Sequence, residues 1–451
     1  DLSREFSFTQ PAEDFNNSSF LDVALQSDDM ARLMKDIEHV NEGQWSDKQR
    51  EVMALLTSLF HWSLTYKNLL LTLIPQQGSG VWLSPWDTIG KDFKNEQTRQ
   101  LLKQWQKMSV SFKKGAQLEF DMAARQYLEL LYERLGKNEK KKVSRFSLEL
   151  LYNTSRPFLL AKVFYILTFI FFCISFMSKA RFWYSAAWAA LLLGFIPHLL
   201  ALIARIIIMA RPPVSSLYET FIFVSFIGVL LGILIERINK QWIGIVTASI
   251  SGAALLFIAS KYSAEGDTLK VLVAVLDSNF WLSTHVTSIT MGYGATCVAG
   301  ILGHIWLIQA CAKESKTTLN NTFTVMMGIL GLSLTLTFIG TNLGGIWADQ
   351  SWGRFWGWDP KENGALMIVI WSTLLFHLRI AKLVGPVGMA IGTVLGMIVV
   401  MWAWFGVNLL SIGLHSYGFT SGIANSLLSY VICEILFIII TVSLIKKSQS
   451  K

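Results

Sequence analysis

Nine stretches of this chain are each long and apolar enough to cross a bilayer as a helix. They run over roughly 158–178, 182–204, 217–235, 241–260, 285–310, 321–345, 363–381, 385–407 and 426–445. A spanning helix needs about 20 such residues. In lipid, only helices or closed barrels satisfy their own backbone groups. Composition agrees, with 52% of residues hydrophobic and 16% charged, against about 25% charged in an average soluble domain. A single soluble domain, a coiled coil and a disordered chain are excluded. The expected fold is all-α: a polytopic membrane helical bundle of nine spans, with an N-terminal helical domain outside the bilayer.

Charge places the sides. Residues 1–157 carry 21 basic and 21 acidic residues, so the whole net charge of +8 belongs to residues 158–451. An excess confined to the hydrophobic part argues against a nucleic-acid partner, which would require a basic soluble face. Simple alternation of nine spans puts Lys179, Arg181, Arg237, Lys240, Lys313, Lys316, Arg379, Lys382, Lys446, Lys447 and Lys451 at one end. The positive-inside rule makes that end cytoplasmic. Arg205 and Arg211 fall at the opposite, outer end.

Residues 1–157 show apolar positions at helical spacing near 19–40, 44–65, 92–110 and 115–137, interrupted by PQQGSGVWLSPWD (75–87). Residues 158–181 form a linking span, and 182–451 the main membrane domain. The four cysteines form neither Cys-x-x-Cys nor Cys-x-x-Cys-His. A thiol relay, a zinc motif and self-attachment of haem are therefore excluded.

The candidate chemistry gathers at the outer end. Trp347, Trp352, Trp356, Trp358 and Phe355 fall within twelve residues of an expected outer loop at 345–362, interleaved with Gly345, Gly353 and Gly357. An interfacial aromatic belt is one reading. A shelf for a flat aromatic ligand is the other, because glycine permits close approach. Asp359 before Pro360 reads as a helix N-cap. His285 and His415 share that side, and two imidazoles beside an aromatic shelf suit a six-coordinate haem. His377 lies about 14 residues into the seventh span, or ~21 Å at 1.5 Å per residue. It reads either as a haem ligand inside the membrane or as a hydrogen-bonded core histidine. His304 is a candidate partner. Arg205, on one helical face with His198, could fork onto a haem propionate or simply snorkel. Glu434 is an intramembrane acid without an evident partner in the sequence.

The string WADQSWGRFWGWDPKE (347–362) resembles the tryptophan-rich WWD signature of haem-handling proteins, a family that includes CcsA, CcmC and CcmF. WLSTHV resembles the first external haem-ligand segment of the CcsA type (His285), GLHSYGF the second (His415), and LLFHLR the membrane-embedded histidine (His377). The likeness covers roughly 182–445. More weakly, the outer region and first span resemble the tail of CcsB/ResB in fused CcsBA cytochrome c synthases of System II. The resemblance implies a holocytochrome c synthase (a lyase forming thioethers) of the bacterial inner membrane. It implies that the WWD loop and residues 1–157 face the periplasm. Haem b would be both ligand and substrate, with His285, His415 and His377 on the iron. Trp347, Trp352, Trp356, Trp358 and Asp359 would form the surrounding site. Implied partners are an apocytochrome c with Cys-x-x-Cys-His, thiol reductants, membrane lipid and a preceding CcsB/ResB half holding another haem ligand. No side chain acts as a nucleophile. A haem exporter or chaperone that presents haem without ligation is the alternative. An electron-transferring cytochrome b is disfavoured, because its histidine pairs would lie inside the bundle.

Overall fold

The computed structural model describes residues 95–178, 181–263, 268–269, 278–410, 412 and 423–449, with 35, 40, 42–47, 49–50, 53–54, 57, 72–76 and 81–88 before them. It divides into two compact units, Asp1–Arg145 and Phe146–Lys451.

In the described part of the first unit, the interrupted stretch forms an antiparallel pair of short strands, β1 (Ile74–Pro75) and β2 (Trp82–Leu83). Two helices follow, α1 (Glu96–Lys114) and α2 (Gln117–Arg134). Asn95 caps α1 by accepting from Gln97 N, and Gly115 ends it in the left-handed conformation. Ile74, Leu83, Leu101, Leu102, Tyr127 and Leu131 make the core. Tyr127 donates its hydroxyl to Leu73 O at 2.7 Å. Buried Arg134 donates to Pro75 O at 2.8 Å. Burial pushes the Tyr127 hydroxyl up to about 12, so it stays protonated as a donor. The expected runs at 19–40 and 44–65 fall largely outside the described residues.

The second unit is helical. A short helix α3 (Phe146–Ser155) precedes α4 (Pro157–Met177), α5 (Arg181–Met209), α6 (Leu217–Asn239) and α7 (Ile243–Ser263). Then come α8 (Thr287–Cys311), α9 (Lys316–Trp352), α10 (Pro360–Ile380), α11 (Pro386–Trp404) and α12 (Ile423–Gln449). Among the described residues, nine helices are long and apolar enough to cross a membrane. The all-α polytopic architecture therefore holds. Their limits follow start signals: proline in the first turn of α4, α10 and α11, and Ser216, Ser315 and Asp359 as caps.

The helices pack closely where side chains vanish. A Cβ on Gly244 of α7 would lie 2.2 Å from Gly232 O of α6, so the two backbones touch, as small residues allow in membrane bundles. Toward the end that holds the 210–216 and 353–359 connections, Phe221 stacks on Phe405 (5.2 Å, 12°) and lies 5.0 Å from Trp404. That aromatic block floors the site.

Candidate functional site

At this end a cavity of about 270 Å³ opens among α6, α8, α9, α10 and the residues after α11. Its walls include His285, Tyr293, Trp347, Trp352, Trp356 and Trp404. The lining is mainly apolar, with few polar groups, as ligand sites of ~300–1,000 Å³ are.

His285 is aimed by local backbone. It sits in a π-helical turn, Leu282–Val286, between the short turn Asn279–Trp281 and α8. Such turns recur at functional sites because the extra residue redirects a side chain. The His285 Nδ1–H donates to Gly340 O on α9 at 2.7 Å. A neutral imidazole bonded in this way keeps its lone pair on Nε2, the tautomer that binds a metal. Gly344 makes the room: a Cβ there would lie 2.5 Å from His285 Cε1. The ring lies edge-on to Trp347 (5.8 Å, 62°), and Trp347 is stacked with Trp281 at 6.3 Å. Trp281 Nε1 donates to Gln350 Oε1 at 3.0 Å, fixing the second indole.

The expected loop at 345–362 is shorter than the sequence suggested. α9 continues through Trp352, so Trp347 and Trp352 stand on its last turns, and the loop is only Gly353–Asp359. Gly353 ends α9 in the left-handed region at φ 69°. The spaces beside Gly345 and Gly357 are filled by the Phe355 ring and the Arg354 guanidinium, not left for a ligand. Trp358 is held left-handed at φ 57°, a costly state for a bulky residue. It is 69% exposed and edge-on to Trp356 at 6.0 Å. Trp358 and Asp359 do not line the cavity.

Asp359 and Glu362 hold this loop. Buried Asp359 accepts from Lys361 N at 3.0 Å, completing a capping box with Glu362. Glu362 accepts from Gly357 N (2.8 Å), Asp359 N (3.1 Å) and Arg354 Nη1 (3.0 Å). The geometry makes Asp359 a brace for the shelf. Asp359→Ala should cost about 1 kcal/mol and lower ligand retention, whereas Asp359→Asn, also a good cap, should restore both. Thermal midpoints and ligand content of the two variants check this. Equal loss in both would assign the carboxylate charge another task.

The remaining candidates are dispersed. His415 lies outside the described residues. His377 is on an exposed face of α10, with Nδ1–H donating to Thr373 O at 2.8 Å. His304 is not beside it: its Nε2 meets Glu434 Oε2 at 2.9 Å and its Nδ1 meets Gly300 O at 2.8 Å. His198 is a satisfied core histidine, between Tyr165 OH (3.0 Å) and Ile222 O (3.0 Å). Arg205 Nη2 donates to Glu219 (2.7 Å) and Thr268 O (2.6 Å), and Arg205 does not line the cavity. Sequence reasoning passed over Glu219, Gln350 and Gly344. Only the acid within an apolar run signalled any of them.

Residues 214–415 match the family described as Cytochrome C assembly protein. The chain is similar to the protein NrfI of Wolinella succinogenes, 34% identical over 49% of this chain and 25% of NrfI. It is similar to the cytochrome c biogenesis protein CcsA of Chlamydomonas reinhardtii, 31% identical over 46% of this chain and 61% of that one. CcsA of Amborella trichopoda is 29% identical over 48% of this chain and 81% of its own length. The match thus spans a quarter of NrfI and about three fifths of the algal CcsA. The matched stretch contains the cavity walls from Val214 to Asn408.

Proposed function

We propose, on the support these relatives give for membership of the cytochrome c assembly protein family, CcsA- and NrfI-like, that this chain carries haem to the cavity and attaches it to apocytochrome c. One observation carries the reading. An imidazole with Nδ1–H pinned by Gly340 O stands in the wall of an apolar cavity shared with Trp347, Trp352 and Trp356.

In this reading His285 Nε2 ligates the haem iron from one face and His415 from the other, while the indoles cover the macrocycle. Haem b is cargo and substrate. His377 takes haem within the membrane: its Nδ1–H is used by Thr373 O, which leaves the lone pair on Nε2 at the exposed face. The cavity end is the periplasmic side of a bacterial inner membrane, opposite the basic end. Each thiol of the substrate's Cys-x-x-Cys-His adds across a vinyl group. Sulfur bonds to the inner vinyl carbon, the thiol proton ends on the outer one, and no net electrons move. No protein nucleophile is needed. The residues orient the ring and hold it out of water, which is where positioning lowers a barrier. The synthase is of the WWD type, and residues 1–157 are the tail of a CcsB/ResB-like half.

Co-expression of the chain, joined to a CcsB-like half, with a cytochrome c in a host lacking its own maturation system tests this. Covalent haem on the cytochrome is expected, read by haem stain after denaturing electrophoresis. Haem-bound protein with no covalent product would leave an exporter or chaperone in place of a synthase.

A further inference from the structure

The cavity holds a cation that the proposed iron ligation leaves unused. Lys361, second residue of α10, lines the cavity and is the cation among its lining residues, whose surface is mainly apolar. Its ammonium donates to Trp404 O at 2.7 Å, which anchors it at the aromatic floor. An ammonium has three N–H donors, and the other two have no hydrogen-bond partner among the described residues. The neighbouring acids are committed. Asp359 caps the helix through Lys361 N and its charge also acts on the Lys361 ammonium without a hydrogen bond to it, and both oxygens of Glu362 are taken by Arg354 and by the Gly357 and Asp359 amides. No described carboxylate forms an ion pair with Lys361. A partly buried ammonium in an apolar cavity with donors to spare calls for an anionic ligand group.

We propose that Lys361 receives a propionate carboxylate of haem and thereby fixes which edge of the macrocycle faces out of the cavity. This rests on the haem reading given above. Haem carries its two carboxylates along one edge and its vinyls away from them. A ring pinned at its iron by His285 and at its carboxylate edge by Lys361 has its vinyl edge turned away from the lysine, whichever of its two faces meets His285. Arg354 does not line the cavity; it is paired with Glu362 at 3.0 Å and lies over the Trp352 ring. Lys361 is thus a positioning residue: it selects the edge presented to the incoming thiols.

The test is a binding titration by absorbance of the detergent-purified full chain with haem and with haem dimethyl ester. The ester keeps the iron, ring and vinyls but lacks the carboxylate charge. Wild type is expected to bind haem at least about ten-fold tighter than the ester, the scale of one charge-assisted contact of about 1.5–3 kcal/mol. Lys361→Met should bring haem affinity down to that of the ester and leave ester affinity unchanged, which also shows that the variant is folded. Lys361→Arg should keep most of the preference. A preference persisting in Lys361→Met overturns the assignment, as does wild type binding both forms equally. Equal loss of both ligands in the Met and Arg variants makes the lysine a strut for the Trp404 carbonyl and also overturns it. Wild type that binds neither form overturns the haem reading itself.

Discussion

His285→Gly should strip haem from the purified protein by on the order of 100-fold. Imidazole added to the medium should restore much of it. The ring is fixed from three directions: Gly340 O on Nδ1 at 2.7 Å, Trp347 at 5.8 Å, and the backbone of α9 at Gly344. On the proposed ligation, removing the ring deletes the iron ligand but leaves the carbonyl and a space shaped for imidazole, so a free imidazole can be held in the same tautomer. Outer partners of metal-bound histidines alone are worth 10–100-fold, and the ligand itself should be worth at least as much. Gly344→Val approaches the same point from the other side. Its Cβ would press on His285 Cε1 from 2.5 Å, so the ring must turn off the Gly340 carbonyl, and retention should fall without loss of the histidine. Haem content by the pyridine haemochrome spectrum, with gel filtration to verify folding, reads both variants. Unchanged haem in His285→Gly would remove His285 from the iron.

The bundle was legible because length and hydropathy are local properties: each of the nine runs needed only its own residues to be read. The same holds for Asp359-Pro360, whose cap depends on neighbours three residues away. Parts of the site that depend on two distant segments were not legible. Nothing near His285 announces that Gly340, 55 positions on, accepts from it, or that Gly344 must lack a side chain. The glycines between the tryptophans suggested space for a flat ligand, yet Phe355 and Arg354 from the same loop occupy it. Helical continuation through Trp352 was hidden by the Gly and Trp that usually mark loops. Glu434, which looked solitary, and His304, which the sequence offered as a partner for His377, are 130 positions apart and bonded to each other at 2.9 Å. Lone charges in apolar runs signal a partner without naming it.

Glu219→Ala should be the most damaging single change away from the cavity, at about 3–5 kcal/mol. Glu219 is 1% exposed. One oxygen accepts from Arg205 Nη2 at 2.7 Å, and the other from Arg211 Nη1 at 2.8 Å, Ser215 N at 3.0 Å and Ser215 Oγ at 2.6 Å. Arg205 itself is fully buried. Without the carboxylate, two guanidiniums remain at a dry helix end with one neutralising charge gone. The cost of an uncompensated buried charge exceeds the net worth of the pairs that held it. The effect should reach the cavity, since Ser215, Ser216, Leu217 and Thr220 form one of its walls and Glu219 tethers Ser215 there. Glu219→Gln keeps acceptor geometry without charge and should fall between wild type and Ala. Thermal midpoints in detergent, followed by light scattering, and haem retention measured beside them give both readings. A midpoint in Glu219→Ala within a degree of wild type would mean that water reaches these guanidiniums. The wall would then be held by the Phe221–Trp404–Phe405 stack alone.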